Sequence, residues 1–151
     1  MDKQFDILKA NRLLILKIID GLTIKQLNKI PTGFKNNIVW NVAHLVVTHQ
    51  LLCYRFSGLP LYISDEMVEK YKKGTAPKND IDLEEFEQIK TRFLSLPDKF
   101  VQDYENGTFK TYRSYTTSAN VTLNSISDAI EFNNFHEGIH LGYILALKKL
   151  V

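Results

Sequence analysis

The sequence has one cysteine, almost no net charge and no long apolar run, and each shortage excludes a class of protein. Cys53 cannot form an internal disulfide, and a lone cysteine is typical of a reducing compartment. The net charge is only +2 with scattered lysines and arginines, which excludes the basic surface of a nucleic-acid-binding protein. No segment reaches the roughly 18 uninterrupted apolar residues of a membrane-spanning helix. We therefore expect a cytoplasmic protein that binds neither nucleic acid nor a membrane.

The remaining composition is that of one ordinary globular domain. The 151 residues are 44% hydrophobic and 24% charged, which is enough apolar material for a sizeable core. Residues 1–11 are mostly polar and contain no apolar segment of the kind that signal peptides carry. The expectation is a single domain that spans residues 1–151.

Hydrophobic residues recur at helical spacing through most of the chain, which predicts an all-α fold. Four main helices are expected, at about residues 2–22, 37–56, 82–104 and 122–149, with short helical turns near residues 23–27 and 64–72. Pro97 should end or kink the third helix, because proline lacks an N–H and clashes with the preceding turn. The connections between helices two and three and between helices three and four are long. The predicted four-helix bundle therefore need not run simply up-down-up-down.

Residues 108–117 are the only stretch in which β-branched and aromatic residues alternate with polar ones. The alternation fits either a short hairpin arm or an extended loop that crosses the bundle. The extended loop is favoured, because no second strand with a clear turn accompanies this stretch.

The fourth predicted helix contains two histidines four residues apart, His136 and His140, which lie on one helical face. Both can reach one metal ion, and with Glu137 they match the H-E-x-x-H signature of zinc proteases. Those proteases take a third ligand downstream, whereas residues 141–151 include no His, Asp, Glu or Cys. Any third ligand must therefore come from earlier in the chain. One stripe of this helix is marked by Ala129, Phe132, His136, Ile139, Tyr143, Ala146 and Leu150.

The second predicted helix is apolar nearly all round and contains the other two histidines, His44 and His49. A helix of this kind belongs inside a bundle or at a subunit contact. Five residues along a helix correspond to about 500°, so the two rings point about 140° apart and cannot both easily join one site. Spacing favours His44, which follows Trp40 on a stripe with Val47 and Leu51. His49 is expected to form a structural hydrogen bond or to face a partner chain.

If His44, His136 and His140 converge, three neutral nitrogens bind one ion and leave at least one position open for water or substrate. Such an open site is typical of catalysis, whereas a structural zinc ion is normally closed by four protein ligands. Imidazole ligands suit zinc, nickel, iron or copper. The ion can acidify a bound water, or bind a substrate thiol as the thiolate, near neutral pH.

Three positions on the same helix leave alternatives open. Glu137 can be a general base, as in zinc proteases, a hydrogen-bonding neighbour of the site, or a solvated residue on the helix flank. Gly138 and Gly142 each cost the helix about 1 kcal/mol relative to alanine. That cost fits the close approach of another helix or of a ligand, and loose packing accounts for it equally well.

Two segments resemble a known family when they are taken together. Residues 22–45 contain the run W-N-V-A-H-L, in which a tryptophan precedes His44. Residues 122–147 contain an H-x-x-x-H pattern, His136 and His140, followed by an aliphatic stretch. In this order, the two segments resemble the DinB-like (DinB/YfiT) family. The resemblance implies a four-helix bundle, often a homodimer, in which His44, His136 and His140 bind a divalent metal ion, with zinc or nickel favoured.

The functional expectation is a metal-dependent enzyme of the thiol S-transferase or hydrolase type that acts on a small-molecule substrate. A low-molecular-weight thiol is a candidate, because related members are thiol-dependent transferases and isomerases. The alternative is a non-catalytic metal-binding protein of the stress response, and a third reading is a helical scaffold whose histidines are ordinary core residues. Residues 118–120 depart from the family pattern, which has a glycine-containing turn before the last helix.

Overall fold

Four long helices pack side by side in a bundle, and a computed structural model describes all 151 residues. The elements in chain order are α1 (Asp2–Ile19), α2 (Ile24–Asn28), α3 (Ile38–Gln50), α4 (Asp65–Tyr71), α5 (Leu83–Glu105), the strands β1 (Tyr115–Thr116) and β2 (Thr122–Leu123), and α6 (Ile126–Lys148). A π-helical turn, Leu51–Arg55, directly continues α3. The predicted all-α bundle with two long connections is confirmed. No helix is sufficiently long and apolar to cross a lipid bilayer.

The order of the helices around the bundle brings distant parts of the chain together. Helix α6 contacts both α1 and α3, and α5 contacts the same two helices from the other side. The consecutive long helices α1 and α3 therefore lie diagonally across the bundle, and so do α5 and α6. This order makes α3 and α6 neighbours, although residues 56–125 separate α6 from the π-helical end of α3. The contact between α3 and α6 positions the histidines.

Side-chain caps fix the starts of the two helices that carry the histidines. The Asn37 side chain accepts a hydrogen bond from the Trp40 N–H (2.8 Å) before α3, and the Ser125 hydroxyl accepts one from the Asp128 N–H (3.1 Å) before α6. A cap of this kind contributes about 1 kcal/mol and favours one residue as the start of the helix. The caps therefore help to set which residues face each other across the α3–α6 contact.

In two segments the structure decides between alternatives that the sequence left open. Helix α5 does not end at Pro97 but continues to Glu105, close to the expected residue 104, and residues beyond the proline such as Phe100 (1% exposed) are buried in the core. Residues 108–117 are mostly extended without regular structure, yet β1 at their end pairs antiparallel with β2 over two residues. The favoured loop and the alternative hairpin are thus each partly right.

The two histidine-bearing helices are buried in different ways. Helix α3 is buried at every position except Thr48, as its apolar composition predicts. Helix α6 buries the polar residues Asn133 and Glu137, whereas Ile139 and Leu150 of the predicted stripe are 51% and 47% exposed. The middle of that stripe lines a cavity, because the two polar residues occupy the side of α6 that faces the core.

Candidate metal centre

Three of the four histidines meet where α3 packs against α6. The ring centroids lie 5.2 Å apart for His44 and His136, 4.8 Å for His44 and His140, and 4.5 Å for His136 and His140. One ring nitrogen of each lies within 4.8 Å of the others. Nitrogen ligands of a tetrahedral ion are about 3.3 Å apart for bonds of about 2.0–2.1 Å, so small side-chain rotations are sufficient for a shared ion. The structure therefore brings together the three residues predicted from the sequence.

Hydrogen bonds determine which nitrogen is free in two of the rings. The His44 Nδ1 lies 2.7 Å from the Tyr71 carbonyl oxygen, and the His140 Nδ1 lies 2.7 Å from the Asn41 Oδ1. Both oxygens can only accept, so each Nδ1 carries the proton and each Nε2 keeps a lone pair. On His44 this lone pair accepts a hydrogen bond from the Thr48 hydroxyl at 3.2 Å, which a metal ion would replace. The Asn41 amide is itself oriented, because its Nδ2 donates to the Asn37 carbonyl at 2.7 Å. Such outer contacts orient the histidines of metal sites.

The third ring has a nitrogen without a partner. The His136 Nδ1 is buried and forms no hydrogen bond within the protein. A buried polar atom of this kind is uncommon and costs about 1–3 kcal/mol. The donor set therefore fits a shared ion, since His140 offers a free lone pair, the lone pair of His44 is held only by the Thr48 hydroxyl, and His136 has no competing partner.

Burial keeps all three rings neutral at pH 7. It lowers the pKa of His136 to about 3, and repulsion from His140 and His44 adds to the change. Burial also lowers the pKa of His140 to about 4, again with a contribution from His44. The pKa of His44 is lowered by burial, although the hydrogen bond to the Tyr71 carbonyl opposes part of the change. Neutral imidazole is the form that binds metal ions, so no proton has to leave these rings at neutral pH.

Trp40 supports His44 from one side. The two residues are four apart on α3 and therefore share a helical face, where their rings stack 4.4 Å apart with an interplanar angle of 12°. The indole N–H donates to the Thr75 hydroxyl at 3.0 Å. The flat contact limits rotation of the imidazole and ties the site to the loop that follows α4.

A cavity of about 660 Å³ lies in front of the histidines. Its apolar and aromatic lining consists mainly of Leu51, Phe56, Phe132, Phe135, Ile139 and Tyr143. The charged residues of the lining are Arg55, Lys72 and Lys73, together with a single acid, Glu69. A cavity of this size and lining suits a small molecule that has an apolar part and an acidic group.

The other two candidate residues lie away from the cavity. His49 is 1% exposed, neither of its ring nitrogens has a hydrogen-bond partner, and its ring packs edge-on against Phe100 at 4.7 Å between centroids. The expected structural hydrogen bond is absent, and the ring faces the core rather than a partner chain. Glu137 is 0% exposed and forms an ion pair with Arg12 at 2.8 Å. It is therefore neither a solvated residue nor a base beside the histidines.

Gly138 and Gly142 face open space. A Cβ atom at either position would meet no atom within 4 Å. No other element of this chain therefore approaches α6 closely at these glycines, and within the chain the looser packing is the correct account.

Three neighbours of the site were not among the predicted residues. Asn41 lies three residues before His44, so helical spacing was a usable signal for its place on the same face. Tyr71 acts through its backbone carbonyl, which leaves no trace in the sequence. Arg12 stands among charged residues of the first helix, and only the packing shows that it is 1% exposed.

The fold and the site together define a four-helix-bundle protein with a three-histidine cluster beside a cavity. The family model of the DinB superfamily matches residues 7–144. The chain therefore belongs to the DinB superfamily, and the resemblance recognised in the sequence is confirmed. None of the curated proteins compared with the chain matches it.

Proposed function

We propose that this protein binds a divalent metal ion, zinc or nickel, through His44, His136 and His140. The observation that carries the proposal is the set of three neutral ring nitrogens within 4.8 Å of one another beside a cavity. Three nitrogen ligands leave at least one position of a tetrahedral ion for water or substrate, as in catalytic zinc sites. The function supported best is a metal-dependent enzyme of the thiol S-transferase or hydrolase type.

The chain's own residues orient the site for this chemistry. Tyr71 and Asn41 accept the Nδ1 protons of His44 and His140, which keeps each Nε2 as the coordinating atom. The Thr48 hydroxyl donates a hydrogen bond to the His44 Nε2 at 3.2 Å and would have to turn away when this nitrogen binds an ion. A bound ion would supply the acidity, because it stabilises a hydroxide or a thiolate near neutral pH.

The charges of the cavity lining support a small substrate with an acidic group. Lys72 pairs with Glu69 at 2.6 Å, and Arg55 approaches the exposed Asp65 at 3.7 Å. Lys73 has no salt-bridge partner and keeps its charge available to a ligand. A low-molecular-weight thiol that carries carboxylates fits this lining, with its sulfur directed toward the histidines.

The burial of Glu137 bears on the type of reaction. Hydrolysis of the H-E-x-x-H type uses a carboxylate beside the ion as general base, and here that carboxylate faces the core. Hydrolysis would then depend on the acidity that a bound ion would give to water, just as thiol transfer would depend on the acidity that it would give to a thiol. The same observation favours, as a second candidate, a metal-binding stress-response bundle without catalysis.

Metal analysis of protein purified without a histidine tag tests the site. The wild type is expected to retain zinc or nickel, His136→Ala to lose most of it, and the matched control His49→Ala to keep it. Equal and negligible metal in the wild type and His136→Ala would overturn the proposal.

Activity measurements separate the candidate functions. Low-molecular-weight thiols are assayed with electrophilic acceptors, and small esters and amides are assayed for hydrolysis. Turnover that depends on His44 and His140 supports the enzyme, and metal binding without any turnover supports the non-catalytic candidate. Turnover that survives His44→Ala and His140→Ala would place the chemistry elsewhere.

We also propose that the protein is a cytoplasmic homodimer that forms through the exposed face of α6. Phe135, Ile139 and Leu145 are 56%, 51% and 43% exposed, and Gly138 and Gly142 between them leave room for a second helix. No charged side chain is exposed on α6 from Phe135 to Leu145, and a contiguous apolar surface marks an interaction site. Light scattering should give a dimer mass for the wild type and a monomer mass for Leu145→Glu. A monomeric wild type would contradict the dimer.

A further inference from the structure

The core contains an ion pair whose two side chains are both buried, Arg12 with Glu137. The Nε and Nη2 atoms of Arg12 donate to the Glu137 Oε1 at 3.0 and 2.8 Å. The Asn11 Nδ2 donates to the Oε2 at 3.2 Å, and the Asn133 Nδ2 approaches the Oε1 at 3.4 Å. Both oxygens of the carboxylate are therefore satisfied from α1 and from α6 itself.

The same arginine reaches the other two long helices. Its Nη1 donates to the Phe93 carbonyl of α5 at 2.8 Å, and the guanidinium lies 4.7 Å from the centroid of the Phe93 ring. Its Nη2 lies 3.5 Å from the Leu45 carbonyl of α3. One side chain of α1 thus contacts all three of the other long helices.

Two of these contacts are adjacent in sequence to the candidate metal ligands. Glu137 directly follows His136, and Leu45 directly follows His44. Consecutive residues of a helix point about 100° apart, so a carboxylate held in the core leaves the preceding ring directed toward the cavity. A rotation of α6 large enough to break the ion pair would also turn His136 and His140 relative to His44.

Stability alone is a poor explanation for the pair. The desolvation of two buried charges often offsets their attraction, and apolar side chains of similar volume are often at least as stabilising. The role best supported for buried polar groups in other proteins is to favour one packing register over its alternatives.

We propose that Arg12 and Glu137 are positioning residues that set the rotation of α6 against α3 and so hold the three histidines at metal-binding distance. The inference rests on the proposed metal site, and it gives the glutamate of the H-E-x-x-H run a role that acts through the helix rather than on a substrate.

Two pair variants and one matched control test this role. R12M/E137L replaces the ion pair with apolar side chains of similar size, so the bundle is expected to fold. Glu137→Gln keeps the shape of the side chain and removes the charge opposite Arg12. In the control Leu8→Ala, truncation of a core residue (3% exposed) one turn before Arg12 destabilises α1 packing and leaves the pair intact.

The first measurement uses metal-free protein. Nitrogen-15 chemical shifts of the imidazoles report which ring nitrogen carries the proton. In the wild type and Leu8→Ala, His44 and His140 are expected as Nδ1–H tautomers, held by the Tyr71 carbonyl and the Asn41 side chain. In R12M/E137L, His140 is expected to lose its bond to Asn41 and to give mixed tautomers.

The second measurement is zinc affinity by chelator competition, with the absorption spectrum of the cobalt-substituted protein. Both pair variants are expected to bind zinc at least about tenfold more weakly than the wild type, which is the loss typical of removing a residue that orients a metal ligand. Their cobalt spectra are expected to differ from that of the wild type. Leu8→Ala is expected to keep the affinity and the spectrum of the wild type.

The outcomes of the two measurements are separable. An unchanged His140 tautomer in both pair variants overturns the positioning role, whatever their zinc affinity. If the wild type itself bound no zinc, the proposed function would fail, while the tautomers of the metal-free proteins would still decide whether the ion pair sets the rotation of α6.

Discussion

Helix α6 has two polar faces, and their titratable side chains, Glu137 on one face and the two histidines on the other, are satisfied in opposite ways. On the core face, the Glu137 carboxylate accepts hydrogen bonds from Arg12, Asn11 and Asn133. On the cavity face, His136 has a buried nitrogen with no partner, and His140 is bonded at only one of its two nitrogens. A saturated buried group specifies packing, whereas a buried group with a free lone pair beside a cavity is available to a ligand. The adjacent residues His136 and Glu137 therefore have different roles: the glutamate fixes the packing of α6, and the histidine is available to a ligand.

The largest effect should come from removing the charge on the core face. Glu137→Gln leaves the Arg12 guanidinium buried without its counter-ion, which we expect to lower the free energy of unfolding by about 3 kcal/mol. Urea denaturation of metal-free protein measures the loss, with Glu131→Gln at an exposed position of α6 as the control. A loss no greater than that of the control would show that the carboxylate is not needed in the core.

The cavity face should respond in metal affinity rather than in stability. His136→Ala removes one of three proposed ligands, so we expect zinc binding to weaken by at least about a hundredfold, or about 2.7 kcal/mol. Unfolding of the metal-free variant should change by less than about 1 kcal/mol, because the substitution also removes a buried nitrogen without a partner. Chelator competition and urea denaturation of the same samples give both values. Unchanged zinc affinity would show that His136 is not a ligand, and the cavity face would then not differ from the core face in its availability to a metal ion.

The cavity face was far more predictable from the sequence than the core face. The pairing of His136 with His140 depends only on the geometry of a helix, and the choice of His44 over His49 depends on its helical stripe and on the family resemblance. The burial of Glu137 depends on Arg12, which is 125 residues away in sequence and contributes to no local pattern. Hydrophobic periodicity therefore marked the stripe beside the cavity but could not decide among the alternatives for Glu137, whose ion pair in the core was not one of them.

A smaller effect on metal binding is expected from Asn41, which contacts the cavity face without being a proposed ligand. Asn41→Ala removes the acceptor that holds the Nδ1 proton of His140, so zinc affinity should fall by about tenfold, or about 1.4 kcal/mol. Asn41→Asp keeps an acceptor and should restore most of the affinity, although it loses the donor to Asn37. If both variants bound zinc as the wild type does, this contact would not orient the ring.

The smallest effect concerns His49, the histidine that belongs to the core. Burial, with a contribution from the charge of Arg12, holds its pKa well below the usual 6.5. The folded protein keeps the ring neutral, while the unfolded chain takes up a proton as the pH falls through 6.5. Stability is therefore lost toward low pH, by up to about 1.4 kcal/mol per pH unit for one such group.

The three cavity histidines also lower the stability of the metal-free protein as the pH falls. The contribution of His49 is therefore measured as the difference between the wild type and a variant without this ring. Urea unfolding of the wild type and His49→Leu is compared at about pH 7 and about pH 5.5. We expect the wild type to lose about 1 kcal/mol more than the variant over this interval. Equal losses would mean that the buried ring accepts a proton beside Arg12. Burial beside the Arg12 charge would then not be sufficient to keep this core histidine neutral.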